Sequence, residues 1–302
     1  VFERQTDLPV DIVPEAFRTW IVSSQGLAGQ DWLDELPAIL DHLCSTWNLK
    51  IVGTAMHGGQ GLVVHVLQGE QSRVLKVASR NEPTHLEAAA LHHWDGHGMV
   101  RLFEYSDQHG GMLLEKLGPE SLEALPWQES IPILGDLIRL HSIDVCTTFP
   151  GTGMLAESIA SSLESRWGNC GKPISQHVLG ITRSVAGALT EPYSSKLVNK
   201  DLHFENVLRG LRAPWIAIDP KPLVGDPECG PAQIFWRVID RLTRPDELQV
   251  VFDLLAEHGE LDRQRFRDWT LVRTVDYWLW ALSVGLTEDP VRCETVIDWL
   301  GY

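Results

Sequence analysis

Two stretches decide how this chain is read: N-K-D-L-H-F-E-N, residues 199–206, and I-A-I-D-P, residues 216–220. Asp201 and Asn206 stand five apart on what reads as one loop. Asp219 follows thirteen residues after Asn206, at the end of a short strand-like run. Asn206 and Asp219 offer an amide oxygen and a carboxylate, hard donors of the kind that hold Mg²⁺ on nucleotide phosphates. Asp201 is then placed to face a hydroxyl and accept its proton. The alternative is three loop residues with no common task. Their order between strand-like runs, in a D-L-H-x-x-N context, argues for the functional reading.

Upstream, Lys76 stands in V-L-K-V between Leu75 and Val77. A lysine inside an apolar strand needs a reason to be there. Holding the α- and β-phosphates while paired with a helix carboxylate is one such reason. Glu87, in H-L-E-A-A-A-L, is the best candidate for the partner, and Glu82 lies on the same expected helix. Fifteen residues before Lys76 ends H-G-G-Q-G, residues 57–61. Gly58, Gly59 and Gly61 carry no Cβ, so their backbone N–H groups can approach phosphate closely. The run lacks a full G-x-G-x-x-G and by itself reads equally as a turn.

Around these motifs the pattern divides in two. Leucines 33, 36, 40 and 43 and Trp47 recur at helical spacing, predicting a helix capped by Asp31; the first thirty residues read as a loose arm with a short helix. Leu49 to Met56 and Leu62 to Leu67 flank the glycines as a hairpin would, and Arg73 to Ser79 forms a third strand. A helix from Glu82 to Trp94 follows, then strands at Val100 to Tyr105 and Gly111 to Glu115. Residues 1–115 thus read as a β-rich, nucleotide-binding lobe. A boundary near Lys116 to Gly118 leads into 116–302, a helical lobe with the catalytic loop and acceptor site. Its helices are predicted at about 128–143, 154–167, 173–190, 231–243, 246–258, 262–284 and 289–299. Between Leu197 and Pro231 only two short β pieces are predicted, Val207–Arg209 and Trp215–Ile218. The class is α+β, with a ligand cleft expected between the lobes.

The chain has 302 residues, 44% hydrophobic and 22% charged, the balance of a globular protein. Its formal charge of −16 argues against broad nucleic-acid binding; it is compatible with a cationic small-molecule ligand and on its own reads as a solubility feature. Five scattered cysteines, Cys44, Cys146, Cys170, Cys229 and Cys293, form no C-x-x-C pair, so no zinc site or disulfide framework is expected. The opening V-F-E-R-Q-T-D-L lacks the basic patch and apolar run of a signal peptide, and the strongly apolar Tyr277 to Leu286 is too short to span a bilayer. These features predict a cytoplasmic protein that binds no membrane. His93 and His97 have an i,i+4 spacing without a completing ligand, and His203 reads as a hydrogen-bonding brace of its loop. The C-terminal tryptophans, Trp236, Trp269, Trp278, Trp280 and Trp299, read as core, with one or two available to wall an acceptor pocket. Asp240, Asp276, Glu288 and Asp289 could meet a guanidino or amino group or lie at the surface.

The D-x-x-x-x-N…D order follows the catalytic-loop logic of the protein-kinase fold. V-L-K-V, E-A-A-A-L, M-L-L-E-K-L, D-L-H-F-E-N-V-L and W-I-A-I-D-P-K-P-L-V-G-D-P together resemble the aminoglycoside phosphotransferases. The run at 218–227 narrows the resemblance to the branch of streptomycin 6-phosphotransferases and hydroxyurea phosphotransferases. It spans about Trp32 to Trp280. The resemblance implies a bilobal protein-kinase-like fold and Mg²⁺- and ATP-dependent phosphorylation of a small-molecule hydroxyl, with antibiotic inactivation as the outcome. By motif match, Asp201 becomes the catalytic aspartate, Asn206 and Asp219 the metal ligands, and Lys76 the phosphate lysine. Glu115 to Leu117 becomes the hinge that meets adenine. Asn199 and Lys200 depart from the H-G-D of many relatives, and Gly230 stands where many have an aspartate. The alternatives are a hydroxyurea or housekeeping-metabolite kinase and a catalytically silent binding protein of the same fold.

Overall fold

A computed structural model describes residues 12–58, 60–145 and 149–302. Gly59, Cys146 and the first eleven residues, where the signal-peptide reading falls, lie outside the described residues. Two compact units emerge. One runs up to Gly96 and resumes over Val100–Leu117; the other comprises His97–Met99 and Gly118–Tyr302.

The first unit contains α1 (Glu15–Thr46), β1 (Leu49–Ile51), β2 (Met56–His57), β3 (Gly61–Gln68), β4 (Gln71–Ala78), α2 (Thr84–Trp94), β5 (Leu102–Ser106) and β6 (Gly111–Glu115). Its antiparallel sheet runs β1-β3-β4-β6-β5, with β2 beside β3. Val63 and Met112 flank Lys76 in register, so β4 is a central strand there. Side chains alternate across a strand. Leu75 and Val77 therefore enter the core formed with Trp32, Leu36, Leu40 and Leu43 of α1, while Lys76 faces the other way. The segment 15–30, within the part expected as a loose arm with a short helix, is helical apart from the break at Gly26, and Asp31 lies inside α1 rather than capping it. Phe17 and Ile21 are buried in the same core, which extends the apolar stripe past the expected start. Gly26 breaks the helix with φ 59°, a left-handed conformation that glycine adopts without a Cβ clash.

The second unit adds α3 (Trp127–His141), α4 (Thr152–Asn169), α5 (Gln176–Ala188), β7 (Lys196–Asn199), β8 (Val207–Arg209), β9 (Trp215–Ala217), β10 (Pro222–Gly225), α6 (Ala232–Val238), α7 (Pro245–His258), α8 (Arg263–Ser283) and α9 (Glu288–Trp299). The expected β pieces form the β8–β9 hairpin. A second antiparallel pair, β7 with β10, lies where the sequence predicts loop; its strands are four residues long and find each other only across the intervening hairpin. Asp226, fully buried after β10, ties this pair to α8. It accepts from Tyr193 N at 3.0 Å, Arg265 Nε at 2.6 Å and Trp269 Nε1 at 3.0 Å. The branch-specific G-D-P run thus serves packing, with a buried carboxylate satisfied by three donors. Among the described residues no helix is long and apolar enough to cross a membrane, and Cys44, Cys170, Cys229 and Cys293 are free thiols.

His97–Met99 joins the second unit through backbone bonds. The Gly98 carbonyl accepts from Ala217 N at 2.9 Å and from His141 Nε2 at 3.2 Å. His141 is 2% exposed, and burial pushes its imidazole down to about 4 from the ordinary 6.5. In the unfolded chain this ring protonates near pH 6.5. Its contribution to stability is therefore complete above that pH and is lost as pH falls toward 4. Between pH 7 and 5 this group alone is expected to cost about 2 kcal/mol. Urea unfolding at the two pH values checks it: His141→Gln, which keeps a donor for Gly98, should flatten that part of the slope, and an unchanged slope counts against the assignment.

Candidate active site

In the first unit, strand alternation points Lys76 toward α2. Its ammonium donates to both carboxylate oxygens of Glu87, each at 2.8 Å, with the side chains 13% and 9% exposed. Glu82, the other candidate, precedes the helix, which begins at Thr84. The hairpin between β2 and β3 closes with Gly58 N donating to Gly61 O at 3.0 Å. A Cβ on Gly61 would come within 3.1 Å of the Val77 carbonyl, so the close pairing of β3 with β4 needs glycine there. Gly59 is not described. One support of this hairpin has no motif in the sequence: Gln25, beside the break in α1, donates to Gln60 and to Ser79 and accepts from Asn81. Of the expected hinge, Glu115 ends β6 and its N–H donates to Arg101 O at 2.9 Å. Leu117 is the last residue of the first unit.

In the second unit, Asn199 organises the loop. Its Oδ1 accepts from Asp201 N at 3.0 Å and Lys221 N at 3.1 Å, joining the Asp201 segment to the residues just beyond Asp219. Lys200 N adds a bond to Lys221 O at 3.0 Å. The side chain that departs from the H-G-D pattern therefore holds the loop itself. Asn206 Nδ2 donates to Asp201 O at 3.0 Å and approaches Asp201 Oδ2 at 3.4 Å, which turns the amide oxygen away from Asp201. Asp219 sits at φ 51°, an uncommon conformation for a residue with a side chain and a frequent mark of functional strain. Gly230 cannot host an aspartate without movement, because a Cβ would lie 2.9 Å from Asn199 O.

Electrostatics link these groups. Burial, and then the neighbouring charge of Asp219, push the Asp201 carboxyl above its ordinary range; Arg273, Gln233 and Arg237 oppose the rise. Two carboxylates this close call for a cation. Among the described residues no three His, Cys, Asp or Glu side chains could form a protein-only metal site. One amide and one carboxylate suit a metal that arrives with phosphate oxygens and water. His203 is buried and held neutral, its imidazole pushed down to about 3 by burial and by Arg237. The expected brace is its main-chain carbonyl, which accepts from Asn206 N at 3.0 Å; its ring Nδ1 has no hydrogen-bond partner among the described residues. Burial and Arg273 lower the Lys200 ammonium.

The C-terminal acids are already engaged. Arg166 binds Asp276, and Arg292 binds Asp240, Glu288 and Asp289. Trp269 and Trp278 are core residues. Trp236 is buried and stacks on Tyr277 at 4.7 Å, and Tyr277 stacks on the half-exposed Trp280 at 5.4 Å. Gln233, Arg237 and Arg273, which border Asp201, were missed in the sequence because nothing in helical periodicity marks a polar residue that returns to a distant loop.

The Lys76–Glu87 pair generates a stability test. Removing one partner of a buried pair leaves an uncompensated charge, so Glu87→Leu should cost about 3 kcal/mol in denaturant unfolding. Adding Lys76→Met should recover part of that loss. Strict additivity of the two substitutions would show that the contact contributes nothing.

The family described as aminoglycoside/hydroxyurea antibiotic resistance kinase matches residues 46–285. The chain is 36% identical to a streptomycin 6-kinase of Streptomyces griseus over 91% of its own length and 92% of the relative's. It is 35% identical to a hydroxyurea phosphotransferase of Kitasatospora aureofaciens, over 91% and 82%. Among solved structures, aminoglycoside phosphotransferase APH(4)-Ia superposes with a TM-score of 0.61 at 15% identity, covering 88% of this chain and 99% of that one. Choline kinase LicA from Streptococcus pneumoniae superposes at 0.59 and 13% identity, covering 88% and 99%. The fold is the protein-kinase-like fold of these enzymes, and the chain belongs to the aminoglycoside/hydroxyurea antibiotic resistance kinases.

Proposed function

We propose that the chain transfers the γ-phosphoryl group of ATP to a hydroxyl of a streptomycin-type aminoglycoside, inactivating it. The observation that carries the reading is the Asp201 loop: a half-buried carboxylate, a second carboxylate that raises it, and an asparagine whose amide nitrogen is fixed on Asp201. Asp201 orients the acceptor hydroxyl and takes its proton as the oxygen bonds to the γ-phosphorus and the bond to ADP breaks. Lys76, held by Glu87, neutralises charge on the α- and β-phosphates. Asn206 and Asp219 would hold Mg²⁺, which offsets phosphate charge when bound. Gly58, Gly59 and Gly61 would cover the phosphates, and the backbone from Glu115 to Leu117 would meet adenine.

A specific observation favours hydroxyurea as a second acceptor. The charged groups that act on Asp201, apart from Asp219, are cations, and the acids of the C-terminal helices are bound to arginines. Such surroundings suit a small uncharged acceptor better than a polycation. An ADP-release assay with streptomycin, other aminoglycosides, hydroxyurea and simple sugars decides between them. Turnover of streptomycin supports the leading reading, turnover of hydroxyurea alone supports the second, and ADP release with none of them overturns both.

Nucleotide binding is tested separately from turnover. Mg·ATP at a hundredfold excess over its Kd should stabilise the fold by about 2.7 kcal/mol. Asp219→Asn should weaken that thermal shift. Asp201→Asn should keep it while lowering kcat about 10²–10⁴-fold, the range of a lost general base. Equal loss of Mg·ATP affinity in the two variants would contradict the division of roles.

A further inference from the structure

A single guanidinium joins two turns that both border Asp201. Arg273, on α8, lies 73 residues beyond Lys200. Its Nη1 is 3.2 Å from the Lys200 carbonyl, 2.8 Å from the Cys229 carbonyl and 3.2 Å from the Gly230 carbonyl. The first carbonyl belongs to the peptide that leads into Asp201. The other two end the turn that leads into α6. Hydrogen bonds from a charged donor are roughly twice as strong as neutral ones and are directional, so one nitrogen shared among three carbonyls sets the spacing of the two turns.

Four further features fit this joint. The guanidinium lies over the Trp236 ring, 5.9 Å from its centre, and Trp236 is itself stacked on Tyr277, so the cation is held from behind. Gly230 has no side chain where a Cβ would press on Asn199 O at 2.9 Å, which lets the turns approach closely enough for one cation to bind both. Arg273 makes no ion pair with a carboxylate among the described residues; carbonyls are its partners. Gln233 follows on the same turn and helix, 5% exposed, and its side chain reaches the Asp201 carboxyl and opposes its rise.

We infer that Arg273 is the positioning residue of the catalytic loop: it fixes the Lys200–Asp201 peptide against the turn before α6, and with it the direction in which the Asp201 carboxylate faces the acceptor hydroxyl. What Asp201 does in this inference rests on the kinase reading; what holds it rests on the carbonyl contacts.

Arg273→Met and Arg273→Lys in the full chain test it. Methionine keeps an unbranched stem and removes every donor; lysine returns one cationic nitrogen with three N–H groups. The methionine variant should lose about 100-fold in kcat, the scale of an ångström-sized misplacement. Its KM for ATP should stay within about threefold of the parent, since the metal and phosphate groups are untouched. Lysine should restore kcat to within about tenfold. Hydrogen exchange should quicken in the methionine variant at residues 198–206 and remain unchanged at 276–283. A methionine variant with kcat near the parent's, or with kcat and ATP affinity falling together as folded protein is lost, overturns the proposal. Should that variant fail to fold, Gly230→Ala opens the same joint by another route, and an unaffected kcat there overturns it equally. The exchange measurement needs no acceptor. A parent protein that releases no ADP with any of the acceptors named above overturns the kinase reading; quickened exchange at 198–206 still supports the tie, and unchanged exchange refutes it.

Discussion

One side-chain oxygen, Asn199 Oδ1, holds together the two segments to which the proposed chemistry is assigned. It accepts the N–H of Asp201 and the N–H of Lys221, and the β7–β10 pairing begins at the same residue. A short ladder thus passes without a break into a side-chain clamp. Without that oxygen, two backbone donors in a partly buried loop lose their partner, and each unmade bond costs more than a made one contributes. The remaining ties follow from this one: Asn206 fastens to Asp201, and Ile218 N fastens to the Asn206 carbonyl at 2.8 Å. Hydrogen bonds thus tie the Asp201 segment to the Asp219 segment against the mutual repulsion of their carboxylates.

The first unit reaches comparable rigidity by a different route. On a central strand, a slip of one residue would send Lys76 into the apolar core and expose Leu75 and Val77. The register is thus enforced by the same burial that stabilises the unit. Glu87 is then placed by helix α2, whose alanines Ala88 and Ala90 are buried while its carboxylate meets the ammonium.

Much of this was legible in the sequence, and the reasons differ by element. Lys76 and its strand could be read because a charged residue in an apolar alternating run is conspicuous. Asp201, Asn206 and Asp219 stood out because the chemistry proposed for them needs fixed spacing along the chain. The β7–β10 pair could not, since four-residue strands carry little periodicity and their partnership depends on a hairpin folding between them. The N-terminal half of α1 was obscured by Gly26, which interrupts the helical pattern while the tertiary core continues through Phe17 and Ile21. Arg273 and Gln233 were invisible for another reason: each looks like an ordinary polar helix residue until the loop it meets is known. The C-terminal acids, which the sequence leaves open between a ligand and the surface, are paired with arginines from α4 and α9.

The chain's brief passage through His97–Met99 has a consequence for how such proteins can be rebuilt. These three residues separate α2 from β5 in sequence, yet their backbone bonds are to Ala217 and His141. Each unit is consequently stitched from two pieces of chain, and neither corresponds to one uninterrupted stretch of gene. A chimera joined between Leu117 and Gly118 would bring its Gly98 from one parent and its Ala217 from the other. Recombination at the most obvious seam therefore mixes two lineages inside a single hydrogen-bonded bridge.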